Sequence, residues 1–106
     1  MIPMIDWLIF SSLLMAVGAY GVLTARNGIL VLMSIEVMLN AANVSLVTFS
    51  AYSTELHGYP DAMGQIFALA SMTVAAAEVA IGLAIFLVLY KRHDSIDVTK
   101  INILRW

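Results

Sequence analysis

Long apolar runs separated by short polar ones set the plan of this chain. The first covers about residues 7–25, the second 29–49 and the third 66–90. Each is near or above the roughly 20 residues that cross a hydrocarbon layer about 30 Å thick. Neither proline of the chain, Pro3 or Pro60, falls inside a run. A segment in lipid must satisfy its backbone N–H and C=O groups internally, so all three runs are predicted as transmembrane α-helices. The expected fold class is an all-α membrane protein with a single three-helix domain over residues 1–106. The first run is read as a span rather than a signal peptide, because it is long and Asp6, not a lysine or arginine, precedes it.

The polar segments fix an expected orientation. Residues 24–28 make a tight turn, residues 51–64 a longer polar loop, and residues 91–106 a polar, partly amphipathic tail. With three spans, all five cations (Arg26, Lys91, Arg92, Lys100 and Arg105) fall on one side, while Asp6, Glu55 and Asp61 fall on the other. The positive-inside rule then puts the amino terminus outside and the carboxy terminus in the cytoplasm. Two spans or four would split the cations. Trp7, Tyr52, Tyr90 and Trp106 lie near or beyond span ends, where interfacial aromatics are expected.

Composition agrees with this plan: 62% of the residues are hydrophobic and 11% charged, against about half and a quarter in a soluble domain. The net charge of −2 gives no footprint for nucleic acid. There are no cysteines, so the chain builds no disulfide, thiolate metal site or iron–sulfur cluster of its own. His57 and His93 lie outside the runs and lack the spacing of a metal or haem site. The expected chemistry is therefore that of ions rather than electrons.

Two carboxylates interrupt the apolar runs. Glu36 lies ten residues beyond Arg26, about 15 Å in, and Glu78 lies thirteen before Lys91, about 20 Å in. A charged side chain at the bilayer centre costs about 2.5–3.5 kcal/mol on insertion scales, a cost seldom met without a function. Asn40 and Asn43 follow Glu36 at i+4 and i+7, within about 40° of it, and Ser50 continues the line. Both amides can donate to a carboxylate or hold water beside it. Ser71, Ala75 and Gly82 share the face of Glu78, and such small residues let helices approach closely. Either carboxyl also suits a structural role, as interhelical glue or as partner to a cation from another subunit. Arg26 serves as a topology marker or as a functional group at the cytoplasmic mouth.

Three linked motifs make the chain recognisable: Gly21-Val22-Leu23-Thr24-Ala25-Arg26-Asn27, Met33-Ser34-Ile35-Glu36-Val37-Met38-Leu39-Asn40-Ala41-Ala42-Asn43, and Val74-Ala75-Ala76-Ala77-Glu78-Val79-Ala80-Ile81-Gly82-Leu83-Ala84. In order, spacing and chain length they resemble the subunit-K (also called 4L) family of respiratory complex I. The resemblance implies a three-helix subunit of the membrane arm, set between the quinone-proximal and the antiporter-like subunits. It implies that Glu36 and Glu78 belong to the axis that carries or couples proton movement, and Arg26 matches the basic position of the family's first loop. Asn40 and Asn43, read from the helix face, are expected as supporting polar residues beside Glu36. No cofactor is expected on this chain; flavin or iron–sulfur clusters and quinone are expected in other subunits, and NADH, ferredoxin or coenzyme F420 as electron donor. The loop over 51–64 looks longer than in many bacterial members, and the ending resembles cyanobacterial, plastid or archaeal relatives. The expected location is a prokaryotic plasma membrane or a thylakoid membrane. The alternative reading is a subunit of a multi-subunit sodium/proton antiporter, which shares the architecture.

Overall fold

The computed structural model describes residues 2–93 and 96–99. Helix α1 spans Met4–Thr24, α2 Gly28–Ala51, α3 Ser53–His57 and α4 Met63–His93. The three long helices are apolar and long enough to cross a membrane. At 1.5 Å per residue they measure about 31, 36 and 46 Å, so α4 outreaches the hydrocarbon layer. The molecule is a rod of 62 × 23 × 21 Å. Helices α2 and α4 extend beyond their expected apolar runs at both ends, whereas α1 starts three residues before its run and stops at Thr24, one residue short of its expected end.

Local chemistry explains the breaks. After α1, Ala25 turns to extended backbone. The Asn27 side chain then caps α2, its Oδ1 accepting from the N–H of Ile29 at 2.9 Å and of Leu30 at 3.3 Å. Short helix α3 was not foreseen within the polar loop. It ends at Gly58, whose φ of 83° is the left-handed conformation that glycine adopts without strain. Asp61 then starts α4, its carboxylate accepting from Met63 N–H at 2.9 Å.

Helix α2 is the centre of the bundle. It packs against both α1 and α4, whereas α1 and α4 make no contact among the described residues. Apart from Tyr52, the buried side chains are small or polar: Ala41, Ala68 and Ala75 with Ser11, Asn43, Thr48, Ser50 and Ser53. Large apolar side chains point outward, Leu23 being 84% exposed and Leu69 66%. This arrangement suits a chain whose surroundings are lipid, where close packing of small residues and interhelical hydrogen bonds take over from hydrophobic burial. Ser11 on α1 meets Ser45 on α2 with a 2.8 Å hydroxyl pair.

The two ends are tied differently. At one end Ser50 Oγ donates to the Asp61 carbonyl, Asp61 N–H donates to Ser53 Oγ at 2.8 Å, and Tyr52 OH donates to the Ile2 carbonyl. Tyr52 is thus buried, at 6% exposure, and does not sit at the surface as an interfacial aromatic. Trp7 and Tyr90 are exposed. At the other end, residues 96–98 fold back as an antiparallel strap on the α1–α2 turn. Gly28 N–H donates to the Ile96 carbonyl at 2.7 Å and Val98 N–H to the Arg26 carbonyl at 3.0 Å. Arg26, Lys91 and Arg92 gather at this end; Lys100, Arg105, Trp106 and the terminal motif lie outside the described residues.

Candidate functional site

Contacts between α2 and α4 give the level of each glutamate. A side chain added at Gly82 would meet Leu32 at 2.9 Å, and one added at Gly64 would meet the Leu46 carbonyl. Leu32 therefore stands opposite Gly82. Four residues onward along α2 is Glu36, and four back along the antiparallel α4 is Glu78. The two carboxyl-bearing residues lie at the same depth, as expected from their distances to Arg26 and Lys91.

They do not share a face. Leu39 and Ala75 both line the meeting edge of the helices, and Ala75 is buried there at 6% exposure. Met72 and Glu78 are each three residues from Ala75, about 60° to either side of it. Met72 lines a cleft together with Asn40 and Asn43 of α2. Glu78 lines a separate hollow of about 320 Å³ with Leu39, Phe67, Ser71 and Ala75. Glu36 lies by helical position on the Asn40–Asn43 side of Leu39, facing the same flank without lining the cleft itself. The α2–α4 seam thus separates the glutamates, one to each flank.

Their surroundings differ accordingly. Glu36 is half-buried, and its Oε1 is enclosed with no hydrogen-bond partner in the chain. Asn43, two turns along, is 2% exposed, and both its amide oxygen and its amide nitrogen are buried without a partner. Asn40, one turn from Glu36, is exposed to the cleft. The polar line read from the sequence is therefore real as far as Asn43, while Ser50, at its end, turns to the Asp61 carbonyl. Glu78 is exposed on the surface of the chain. With α1 making no contact with α4, no third helix covers it among the described residues. Ser71 and Ala75 border it as expected, while Gly82 serves the contact with Leu32.

Arg26 is exposed in the α1–α2 turn, and its carbonyl holds the strap. It lies two to three turns from Glu36 and is remote from both hollows. Met72, which shares the cleft with the asparagines, gave no signal in the sequence, since a methionine in an apolar span looks like any packing residue. Among the described residues no group of three His, Asp or Glu side chains could hold a metal ion.

Residues 6–106 match the family described as NADH-ubiquinone/plastoquinone oxidoreductase chain 4L. The chain is 50% identical over 97 residues to an NADH-quinone oxidoreductase subunit K of Brevibacillus brevis, covering 92% of this chain and 90% of that one. It is 42% identical over 106 residues to an NADH-quinone oxidoreductase subunit K 2 of Geotalea uraniireducens, covering the whole of both. It is 43% identical over 100 residues to an NAD(P)H-quinone oxidoreductase subunit 4L of Leptolyngbya boryana, covering 94% and 95%. A three-helix chain with this length, these motifs and this coverage belongs to the chain 4L (subunit K) family of the quinone oxidoreductases.

Proposed function

We propose that the chain is a membrane-arm subunit of a proton-pumping quinone oxidoreductase, in which Glu36 and Glu78 take and pass protons along the axis that couples quinone chemistry to proton movement. The observation that carries this reading is the enclosed, unpartnered Oε1 of Glu36 at the same depth as Glu78. A buried polar atom without a partner in its own chain is costly unless water or a neighbouring subunit meets it. A carboxyl so placed is suited to receive a proton and release it. Asn40 and Asn43 extend a polar line from Glu36 and would orient the carboxylate or water beside it. Ser71 and Ala75 leave space at Glu78 for water or a partner's side chain.

The seam between the glutamates gives each a different neighbour. Glu36 serves the cleft flank and Glu78 the hollow flank, so a proton or charge arriving on one side biases the other through the low-dielectric interior. The covering groups come from quinone-proximal and antiporter-like subunits and from lipid. The chain supplies carboxyls and amides, while flavin or iron–sulfur clusters and quinone reside in other subunits. The relatives' names favour a nicotinamide nucleotide as electron donor over ferredoxin or coenzyme F420. The cation-bearing end of the bundle faces the cytoplasm, with the amino terminus outside, in a plasma or thylakoid membrane.

The test is proton uptake by vesicles holding the assembled complex, driven by quinone reduction. Glu36→Gln and Glu78→Gln are expected to impair pumping or coupled reduction while leaving the complex assembled. Normal pumping in both single variants and in the double variant would overturn the reading.

A further inference from the structure

Glu36, Asn40 and Asn43 run along α2 toward the end of the bundle that carries Tyr52 and Asp61, away from the cations. The polar line stops short of that end. Asn43 closes it, its amide enclosed by the chain itself. Beyond Asn43 the α2 floor of the cleft is Val44, Val47, Thr48, Ala51 and Tyr52. Thr48 donates its hydroxyl to the Val44 carbonyl at 2.7 Å, and Tyr52 donates its own to the Ile2 carbonyl. The other three are apolar. Asn43 and Tyr52 are nine residues apart, so about 14 Å of this floor offers no free side-chain donor. The end itself is laced together. Ser50 donates to the Asp61 carbonyl, Asp61 N–H donates to Ser53, and Tyr52 reaches Ile2. Ser50, Tyr52 and Ser53 are all buried. These bonds join the residues that precede α1, end α2 and precede α4.

We infer that this end is a seal: the Tyr52–Ile2 tie and the apolar stretch behind it keep water and protons of the outer face from Asn43, Asn40 and Glu36. An apolar passage excludes water by dewetting. A water inside it would need two to four polar partners, which this floor does not supply. Tyr52 is the bolt, since its ring fills the end of the cleft and its hydroxyl fastens the residues before α1. Glu36 then exchanges protons with groups at its own depth or toward the cation-bearing face, and not with the face of Asp6, Glu55 and Asp61. A pump needs such a seal, because a polar line open to the outer face would let protons run back. Tyr52 touches no transferred proton; it acts by closing the route. The inference rests on the proton-carrying reading of Glu36 and on the orientation given above.

The chain has no cysteine, so one introduced thiol is the only thiol of this subunit. Val47→Cys puts it in the apolar stretch, and Tyr59→Cys puts it on the exposed loop at the same end. A charged, impermeant methanethiosulfonate is added to one face at a time of sealed native membranes holding the assembled complex, and the subunit is weighed by mass spectrometry. Tyr59→Cys should react from the outer face, and Val47→Cys far more slowly. Tyr52→Phe keeps the ring and removes the bond, and should speed labelling of Val47→Cys by roughly two- to tenfold, the span of one hydrogen bond. Without substrate, an imposed pH gradient should also decay faster in vesicles holding Tyr52→Phe, with quinone reduction under uncoupler unchanged. Adding Glu36→Gln should remove that extra leak. Val47→Cys as reactive as Tyr59→Cys would overturn the seal. So would labelling at the parent rate in Tyr52→Phe, or an extra leak that is absent or persists with Glu36→Gln. Tyr59→Cys reacting only from the opposite face would overturn the orientation instead, and the ratio of the two thiols from that face still decides the seal. Labelling does not depend on pumping, so failure of the seal and failure of the proton-carrying reading are separable.

Discussion

Glu36 and Glu78 stand at one depth on opposite flanks of the α2–α4 seam, Glu36 on the side of the Asn43 cleft and Glu78 in the hollow beside Ser71 and Ala75. Equal depth alone would let a carboxyl be moved sideways without loss; the separation of flanks predicts otherwise. In Glu78→Ala/Val79→Glu the carboxyl shifts about 1.5 Å along α4 but about 100° around it, toward the flank of Glu36. Proton uptake by reconstituted complex should stay as low in this double variant as in Glu78→Ala, whereas Glu78→Asp should retain more. Recovery in the double variant would show that only depth matters.

The seam also predicts unequal responses to adding a single methyl group. At Gly64 a Cβ would meet the Leu46 main-chain carbonyl, and Ser50 Cβ at 2.9 Å; the carbonyl cannot move without moving α2. At Gly82 it would meet the terminal methyl groups of Leu32 at 2.9 and 3.0 Å, which can turn aside. Gly64→Ala should destabilise the bundle by about 1–3 kcal/mol, as overpacked cores do, and Gly82→Ala by less than about 1 kcal/mol. Thermal unfolding of the complex followed by loss of intact particles would rank them. Equal losses would argue against the close approach at Gly64.

Much of this is legible in the sequence. Apolar length fixed the three long helices, and helical rise placed Glu36 and Glu78 at similar depth. The polar line through Asn40 and Asn43 followed from a 3.6-residue period. What periodicity could not show is which flank of a neighbouring helix each residue faces. That depends on the seam through Gly64, Ala75 and Gly82, which reads in sequence as any row of small residues. The strap was hidden for a similar reason: Ile96 and Val98 act through main-chain N–H and C=O groups, which every residue carries. The burial of Tyr52 cannot be read from its place at a span end, because its partner is the backbone of Ile2, far away in the chain.

Between α1 and α2, the hydroxyl pair of Ser11 and Ser45 at 2.8 Å makes a smaller prediction. Ser11 Oγ also bonds the Leu8 carbonyl at 3.1 Å, so removing Ser45 leaves it one partner. Ser45→Ala should therefore cost only about 0.6 kcal/mol, the average for such bonds in membranes, while Ser11→Ala/Ser45→Ala should cost little more. Strongly additive losses in thermal unfolding of the complex would mean that each hydroxyl has a further role outside this pair.

The strap at the cation-bearing end joins elements that do not otherwise meet: α1 and α4 share no contact among the described residues, yet the segment after α4 pairs with the α1–α2 turn. Its two main-chain bonds, Gly28 N–H to Ile96 C=O and Val98 N–H to Arg26 C=O, hold the turn that carries Arg26. Val98→Pro removes one donor and constrains Asp97 before it, whereas Val98→Ala keeps the donor. One hydrogen bond contributes about 0.5–1.5 kcal/mol, so the strap should open up to about tenfold more often in Val98→Pro. Trypsin applied to the cation-bearing face of native membranes reads this directly. Cleavage after Arg26 should quicken in Val98→Pro and stay at the parent rate in Val98→Ala. Equal rates in all three would mean that the turn is held by other groups and that the strap is not what fixes Arg26 in place.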